Sequence, residues 1–198
     1  MVVILNPNNG PIAPPPAEFL TTVSTLHGAG VKVVGYVPTG FGARPQSLIL
    51  QDVQTWRAYG VDGIFFDETA QGMAAHYAAL CQAARQYFSL NILNPGAVVS
   101  AAYVDPQNSC NVAVMFEDVE ANWQATAPSA PAIGAAGLAM LAHTGAADPA
   151  LMRRDLQLAA QRGFGMAYVT DGTLPNPWVR LPAYWSAEVA EAKSLRVK

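Results

Sequence analysis

The sequence predicts an α/β fold of the compact (β/α)8-like TIM-barrel type, with seven clear strands and a weak or missing eighth. Short apolar segments alternate with amphipathic helical patterns along the whole chain, which indicates a parallel sheet with helical crossovers. No G-x-G-x-x-G motif follows the first strand, so the competing open, doubly wound sheet is less favoured. Eight β/α units usually need about 250 residues, and the chain has 198. We therefore expect a compact or incomplete barrel.

Seven segments are predicted to be strands because they are short, apolar and bounded by Gly, Pro, Asn or Asp. Gly63–Phe66 carries no charge, which is typical of a parallel strand buried on both faces. Trp178–Leu181 is a weak candidate for an eighth strand. The seven predicted strands are Val2–Pro7, Val31–Val37, Gly63–Phe66, Leu90–Asn94, Val112–Glu117, Leu138–His143 and Gly165–Thr170.

Six helices are predicted between and after these strands. Gly28 and Gly30 close the first helix, an Ala-rich composition favours the third, and Asp148 with Pro149 supplies the start of the fifth. The predicted helices are about Ala17–His27, a second with Leu48, Val53 and Trp56 on one side that ends near Gly60, Ala70–Phe88, Asp118–Ala125, Pro149–Arg162 and Pro182–Lys193.

The composition predicts one folded domain over residues 1–198, which we expect to be a monomer. Hydrophobic residues make up 52% and charged residues 13% of the chain, a balance that excludes a disordered protein. The net charge of −3 argues against nucleic acid or an anionic membrane as a partner. No apolar segment approaches the roughly 18 residues of a membrane span. No cofactor motif is present.

Polar or ionisable residues stand at the end of every predicted strand. The carboxyl ends of the strands of a parallel barrel open on one face, where such enzymes carry their chemistry. The strand entrances contain mainly Gly and Val. We therefore expect one rim to collect the strand-end residues Asn6, Tyr36, Thr39, Asp67, Glu68, Asn94, Glu117, His143, Thr170 and Asp171.

Separated carboxylates form the sharpest chemical signal in this set. Asp67 and Glu68 lie two strands away from Glu117 in the strand order, so we expect them to face each other across part of the barrel mouth. Glycoside hydrolysis needs one carboxylic acid and one carboxylate, separated by about 5–5.5 Å for retention and about 6.5–9.5 Å for inversion. We expect retention. Side chains alternate along a strand, so the sequence does not decide whether Asp67 or Glu68 faces the cleft.

Several features keep other interpretations open. Glu117 could simply place a charge near the following helix. Asp67, Glu117 and His143 could serve a metal-dependent hydrolase, although no compact ligand motif supports a metal site. Cys81 and Cys110 lack metal spacing; we expect two buried thiols, with a disulfide as the alternative.

Blocks spread over nearly the whole chain resemble the spherulin-4-like, or spherulation-specific, family. The residues that carry the resemblance are Asn6–Pro11, Gly35–Arg44, Asp62–Glu68, Asn94–Gly96, Phe116–Glu117, Tyr168–Gly172 and Leu181–Trp185. The family is similar to glycoside hydrolase family 135, whose barrel enzymes cut α-1,4-linked galactosamine and N-acetylgalactosamine polymers. The resemblance therefore implies an endo-glycosidase that acts on an amino-sugar polysaccharide and is secreted or located at the cell surface.

The family match and the strand-end pattern together predict the site residues. We assign Asp67 as nucleophile or charge stabiliser, Glu117 as general acid/base and Glu68 as a supporting acid. The predicted substrate-binding residues are Asn6, Tyr36, Thr39, Arg44, Asn94, His143, Tyr168, Asp171 and Trp185. The alternative is a carbohydrate-binding or surface structural protein that keeps the barrel without catalysis, since fold alone does not fix function.

Overall fold

Seven strands follow one another in the sheet in the order in which they occur along the chain. A computed structural model describes residues 1–105, 107–126 and 132–195. A doubly wound sheet reverses its strand order at a switch point, so the sequential order favours the predicted barrel class. The strands are β1 Val2–Leu5, β2 Lys32–Pro38, β3 Gly63–Asp67, β4 Leu90–Leu93, β5 Val112–Val119, β6 Leu138–His143 and β7 Met166–Val169.

Within the part of the chain that the structure describes, six α-helices occupy the predicted places, and three of them, α3, α4 and α6, start later than expected. In the segment before α3, the Tyr77 hydroxyl accepts the NH of Ala70, the Tyr103 hydroxyl accepts the NH of Met73, and Gly72 is left-handed at φ 77°. This loop cannot be helical. The helix α4 is delayed because β5 extends beyond its predicted end. The helices are α1 Ala17–Gly28, α2 Gln46–Trp56, α3 Ala74–Arg85, α4 Glu120–Ala125, α5 Pro149–Gln161 and α6 Trp185–Leu195.

The predicted eighth strand is absent: residues 178–181 are irregular. Trp178, Val179 and Leu181 are exposed. The Arg180 guanidinium donates to the carboxylate of Asp171 at 2.7 Å, so this segment is held by a side chain and not by a backbone ladder. The apolar content that suggested a strand is therefore on the surface.

The described residues form two compact units, and the prediction of one domain stays a prediction. The first unit comprises Met1–Pro95 and Val99–Ala113, and the second comprises Gly96–Val98 and the chain from Val114 onward.

The helix α5 in the second unit begins as predicted, with the Asp148 carboxylate accepting the NH of Ala150.

A tryptophan from α2 fixes the middle of β2 in the first unit. Trp56 is fully buried, and a methyl group on Gly35 would lie 2.2 Å from its ring atom Cδ2. Only glycine leaves room for the ring at this point of β2. The Trp56 indole donates to the carbonyl of Tyr36 at 3.0 Å, which holds the strand next to a predicted site residue. Leu48 does not share this face, because it is exposed and Ile49 is buried in its place.

Polar contacts also occur at a strand entrance, which the sequence analysis did not expect. The carboxylate of Asp62, just before β3, accepts hydrogen bonds from Lys32, from the backbone NH of Val33 and from His27, all within 2.8 Å. Burial acts to raise the pKa of Asp62, but these hydrogen bonds outweigh it and lower the pKa. The polarity of strand entrances here serves the scaffold.

Cys81 and Cys110 form a disulfide in the first unit. The favoured expectation of two free thiols was wrong, because the two residues are 29 positions apart in sequence while their Cα atoms are 5.2 Å apart. Such a distance lies within the range that a disulfide spans. The bond closes a loop that contains β4 and joins α3 to the segment before β5.

The second unit contains two buried carboxyl groups in neighbouring helices. Asp155 of α5 and Glu188 of α6 are 0% and 3% exposed. Burial raises the pKa of Glu188 to about 7, against an opposing hydrogen bond from the NH of Val169. The pKa of Asp155 is also raised to about 7, mainly by burial and to a smaller extent by repulsion from Glu120.

We predict that the double variant Cys81→Ser/Cys110→Ser is less stable than the parent by about 3–4 kcal/mol, the loop-entropy value for a crosslink of this span. Urea unfolding of both proteins measures the difference. The parent in reductant is the matched control, and it should unfold at the same urea concentration as the double variant. An unfolding midpoint of the parent that does not respond to reductant would contradict the prediction.

We predict that Glu188→Gln gains stability over the parent as pH rises. The pKa of Glu188 is 4.5 in the unfolded chain and about 7 in the folded protein. The Glu188 carboxyl group therefore keeps its proton up to a higher pH in the folded parent than in the unfolded chain. Its contribution to stability is present below pH 4.5 and is lost as pH rises through 7. Glutamine does not titrate, so the stability difference should grow by up to about 3 kcal/mol across this window.

Thermal and urea unfolding of the parent and Glu188→Gln at pH values from 4 to 9 measure this difference. Glu188→Ala is the matched control: it should be less stable than Glu188→Gln at every pH because it leaves a cavity, yet it should show the same pH dependence as Glu188→Gln. Parallel curves for the parent and Glu188→Gln would show that Glu188 does not titrate in this window.

Candidate functional site

Two neighbouring strands hold the carboxylate of Asp67, the last residue of β3. The Tyr36 hydroxyl on β2 donates to Oδ2 at 2.7 Å, and the Asn94 amide just after β4 donates to Oδ1 at 2.7 Å. Each carboxylate oxygen therefore has one fixed donor and retains capacity for another. This arrangement joins three of the predicted site residues and orients a carboxylate at the carboxyl end of a parallel sheet.

Glu68 leaves the strand in a different direction from Asp67. Its backbone is left-handed, with φ 54°, so the strand ends at Asp67 and the simple alternation of side chains no longer applies. The Glu68 carboxylate accepts the NH of Gly40 at 3.0 Å, and its carbonyl accepts the NH of Phe41 at 2.7 Å. In the first unit, Asp67 thus contacts the flanking strands while Glu68 binds the loop after β2.

Thr39 joins that loop to β3 from a buried position. Its NH and its hydroxyl donate to the carbonyl of Asp67, and the hydroxyl also donates to the carbonyl of Glu68. The side chain is 0% exposed, which argues for a positioning role and against direct contact with a substrate. Arg44 donates to the carbonyl of Pro38 at 2.9 Å and pairs with Asp52 at 2.7 Å. Both residues therefore stabilise the loop.

Thr69 stabilises the other side of the β3 exit. Its NH donates to the carbonyl of Asn94 at 3.0 Å, and the NH of Asn94 donates to the carbonyl of Phe66 at 2.8 Å. The Thr69 hydroxyl donates to the same Phe66 carbonyl. These backbone contacts fix the ends of β3 and β4 relative to each other, and this register places the Asn94 amide on Asp67.

Glu117 lies inside β5 and not in a helix. Its backbone NH donates to the carbonyl of Gly96 at 3.0 Å, and its side chain is half-buried. The contacts expected of a charge before α4 belong to the next residue, since the Asp118 carboxylate accepts the NH of Val119 and the amide of Asn122, each at 2.7 Å. The interpretation of Glu117 as a helix-start charge is therefore not supported.

An aromatic cluster in the second unit contains three of the predicted substrate-binding residues. Trp178 contacts the rings of His143 and Tyr168 at centroid distances of 5.8 and 6.0 Å, and Tyr168 contacts Trp185 at 6.1 Å. Burial lowers the pKa of His143, with Asp118 opposing the shift. We therefore expect a neutral imidazole at pH 7.

Trp178 is a member of this cluster that the sequence analysis assigned to a strand instead. Its loop is fixed by the pairing of Arg180 with Asp171, which lowers the pKa of Asp171 mainly through the Arg180 hydrogen bond. A signal for the aromatic role was available, because Trp178 follows Pro175 and Pro177 in a segment unsuited to a strand interior. Asp171 therefore fixes this loop.

Asn6 shows the turn contact that an Asn-Pro sequence commonly makes, with its side-chain oxygen accepting the NH of Gly10 at 3.0 Å. Its part in substrate binding stays a prediction. Within residues 1–105, 107–126 and 132–195, no group of three His, Cys, Asp or Glu side chains is placed to hold a metal ion. In the same part of the chain, no helix has the length and apolar character needed to cross a membrane.

Comparison with known proteins identifies the family. A profile of spherulation-specific family 4 matches residues 1–192 of the chain. The chain belongs to this family. Spherulin-4 of Physarum polycephalum is 30% identical to this family member over 215 residues, and the match covers 98% of the chain and 63% of that protein. The chain thus spans less than two thirds of the length of this relative.

Solved structures show the fold of this spherulation-specific family 4 member. Sph3 of Aspergillus clavatus, in complex with GalNAc, matches with a TM-score of 0.83 at 20% identity over 96% of this chain and 85% of that chain. A chitinase of Rhizomucor miehei matches with a TM-score of 0.57 at 12% identity over 98% of this chain and 92% of that chain. The likeness to Sph3 confirms the predicted barrel-type fold.

We predict an energetic coupling of about 1.5–3 kcal/mol between Tyr36 and Asp67, the range for a hydrogen bond to a charged group. A double-mutant cycle of Tyr36→Phe and Asp67→Ala, measured by urea unfolding, gives this coupling. Tyr59→Phe is the matched control, because the Tyr59 hydroxyl bonds to the backbone of Ile12 and its effect should add to that of Asp67→Ala. Additive effects in the Tyr36 cycle would show that this contact does not hold the carboxylate.

Proposed function

We propose that the chain is a glycoside hydrolase that cleaves α-1,4-linked galactosamine and N-acetylgalactosamine polysaccharides by paired-carboxylate acid/base chemistry. The observation that carries the proposal is the Asp67 carboxylate, which two neighbouring strands orient at the end of β3 through Tyr36 and Asn94. Membership of spherulation-specific family 4 and the fold shared with a GalNAc-bound protein support a carbohydrate ligand.

Asp67 is assigned as the nucleophile in a retaining reaction. Its carboxylate attacks the anomeric carbon while the bond to the leaving oxygen breaks, and Glu117 gives that oxygen a proton. Glu117 then removes a proton from water, which attacks the anomeric carbon and releases Asp67. A short side chain with two fixed donors suits close approach to one atom, since catalysis depends on a preformed geometry.

Tyr36 and Asn94 have a positioning role in this scheme, because both donate to the reacting carboxylate. Glu68 is the supporting acid: its carboxylate and carbonyl fix the loop after β2. His143, Tyr168 and Trp185 are proposed to contact the substrate, together with Asn6 and Asp171. Aromatic rings suit the apolar faces of sugars, and the cluster around Trp178 provides several of them.

A non-catalytic carbohydrate-binding or surface structural protein is the second candidate. It is favoured by one observation: both oxygens of Asp67 already accept a hydrogen bond, as a fixed acceptor for a sugar hydroxyl would. A secreted or cell-surface location is proposed for either function. The Cys81–Cys110 disulfide supports this location, because disulfides persist in oxidising compartments.

We predict that the purified protein releases oligosaccharides from partially deacetylated α-1,4-galactosaminoglycan, detected by mass spectrometry. Glu117→Gln should lower turnover by roughly 10² or more through loss of the general acid/base, and Asp67→Asn should lower it further through loss of the nucleophile. Both variants should unfold at the parent temperature within a few degrees. Product anomers followed by NMR should show retention of configuration.

Asp118→Asn is the matched control, because Asp118 is the neighbour of Glu117 and bonds to the NH of Val119 and the amide of Asn122. The side-chain oxygen of asparagine can accept the NH of Val119, and its NH2 group can donate to Asn122 once the Asn122 amide turns over. Its turnover should stay within about twofold of the parent. Cleavage by Asp67→Asn at the parent rate would refute the assigned roles. Binding of the polymer without release of oligosaccharides would favour the non-catalytic candidate.

A further inference from the structure

Phe41 has an unusual combination of exposure and backbone conformation. The side chain is 66% exposed, while φ 52° and ψ 39° place the residue in the left-handed region. In a residue with a bulky side chain, this conformation costs stability, whereas glycine adopts it freely. A ring this exposed recovers little of that cost through burial in the protein.

The loop that presents Phe41 is fixed to the β3 exit. The NH of Phe41 donates to the carbonyl of Glu68 at 2.7 Å, and the NH of Gly40 donates to the Glu68 carboxylate at 3.0 Å. Thr39 adds hydrogen bonds to the carbonyls of Asp67 and Glu68. The backbone from which the phenyl ring projects is therefore fixed to the segment that carries the Asp67 carboxylate.

The neighbours of Phe41 have the residue type that a left-handed backbone favours, whereas Phe41 does not. Gly40 and Gly42 have φ values of 59° and 80°, and both are glycines, as the left-handed region favours. A methyl group on Gly42 would lie 2.5 Å from the Met73 sulfur, so the loop packs closely on the segment after β3. Glycine would satisfy the backbone at position 41 as well, so the ring itself requires an explanation.

Left-handed non-glycine residues in the described ranges are Asn9, Phe41, Glu68 and Thr144. A hydrogen bond joins the NH of Phe41 to the carbonyl of Glu68. Two residues with energetically costly backbone conformations are therefore in contact, and one of them directly follows Asp67 in the chain. Such conformations persist where the surrounding contacts enforce them, and they concentrate at ligand sites. An exposed aromatic residue whose backbone is fixed to the residue that follows an oriented carboxylate has the features of a platform for a sugar ring.

We infer that Phe41 is a substrate-contacting residue that stacks against a sugar unit of the polymer and helps to set specificity. The inference rests on the proposed function, because it takes the amino-sugar polymer as the ligand of the Asp67 region. It adds a residue that the predicted substrate-binding set did not contain.

The test measures binding of purified α-1,4-linked galactosamine/N-acetylgalactosamine oligomers by calorimetry. All proteins carry Glu117→Gln, so that the oligomers are not cleaved. Phe41→Ala and Phe41→Gly should each raise Kd about tenfold, the loss expected on removal of one aromatic contact. Phe41→Trp should bind within about threefold of the background protein. With Glu117 restored, Phe41→Ala should raise KM and leave kcat nearly unchanged, as loss of uniform binding does.

Two controls separate contact with the ligand from effects on folding. Phe41→Gly should melt at or above the parent temperature, because glycine adopts this backbone freely. Leu48 is another exposed apolar residue of the first unit and is 46% exposed. Its substitution Leu48→Ala should leave Kd unchanged.

The outcomes distinguish this inference from the function on which it rests. Unchanged Kd in Phe41→Ala and Phe41→Gly, with a parent that binds and cleaves the polymer, would overturn the inference alone. A parent that neither binds nor cleaves would overturn both proposals. A change in oligomeric state on gel filtration, with unchanged Kd, would overturn the inference by assigning Phe41 to self-association.

Discussion

The orientation of the Asp67 carboxylate depends on the alignment of three strand ends. Its donors come from Tyr36 on β2 and from Asn94 just after β4, so β3 must stop at the right level between its two neighbours. The register pairs Pro38 with Asp67 and Phe66 with Leu93. A shift of one residue in either pairing would turn the required side chains away. The packing of Trp56 on Gly35 and the backbone contacts of Thr69 can be understood as protection of this alignment.

The same region contains conformations that cost stability. Glu68 and Phe41 are both left-handed, and the hydrogen bonds from Thr39 and Gly40 fix them there. Buried carboxyl groups at Asp155 and Glu188 add a different cost in the second unit, where the charged forms are poorly solvated. Proteins commonly retain such costs where function requires a fixed geometry. The first unit therefore carries backbone strain in the residue next to Asp67, while the second unit combines the left-handed Thr144 with two desolvated carboxyl groups.

The sequence predicted the strands well because each is a short apolar run between breakers, and β6 occurs at its predicted residues. It also brought together Tyr36, Asp67 and Asn94, since all three stand at strand ends. It could not predict the start of α3, because that boundary depends on hydroxyl groups of Tyr77 and Tyr103 from elsewhere in the chain.

Other features escaped the sequence analysis for related reasons. The disulfide was named only as the alternative to two buried thiols, because it depends on a distance in space that residue spacing does not contain. Trp178 carries the apolar character of a strand residue, yet only its contacts with His143 and Tyr168 show that it belongs to an aromatic cluster. The left-handed backbone of Glu68 could not be read from its residue type, because glutamate rarely adopts it.

The disulfide has a further consequence for a protein exposed to proteases. Cys81 and Cys110 close a covalent ring that contains β4 and Asn94. Gln107 and Asn108 lie in this ring and are exposed, so they offer an accessible peptide segment. One cut there would leave both new ends attached to the same molecule through the sulfur bridge. The chain from Asn108 onward, which carries Cys110 and Glu117, would stay covalently joined to the part that carries Cys81, Asp67 and Asn94, and it would not leave as a released fragment.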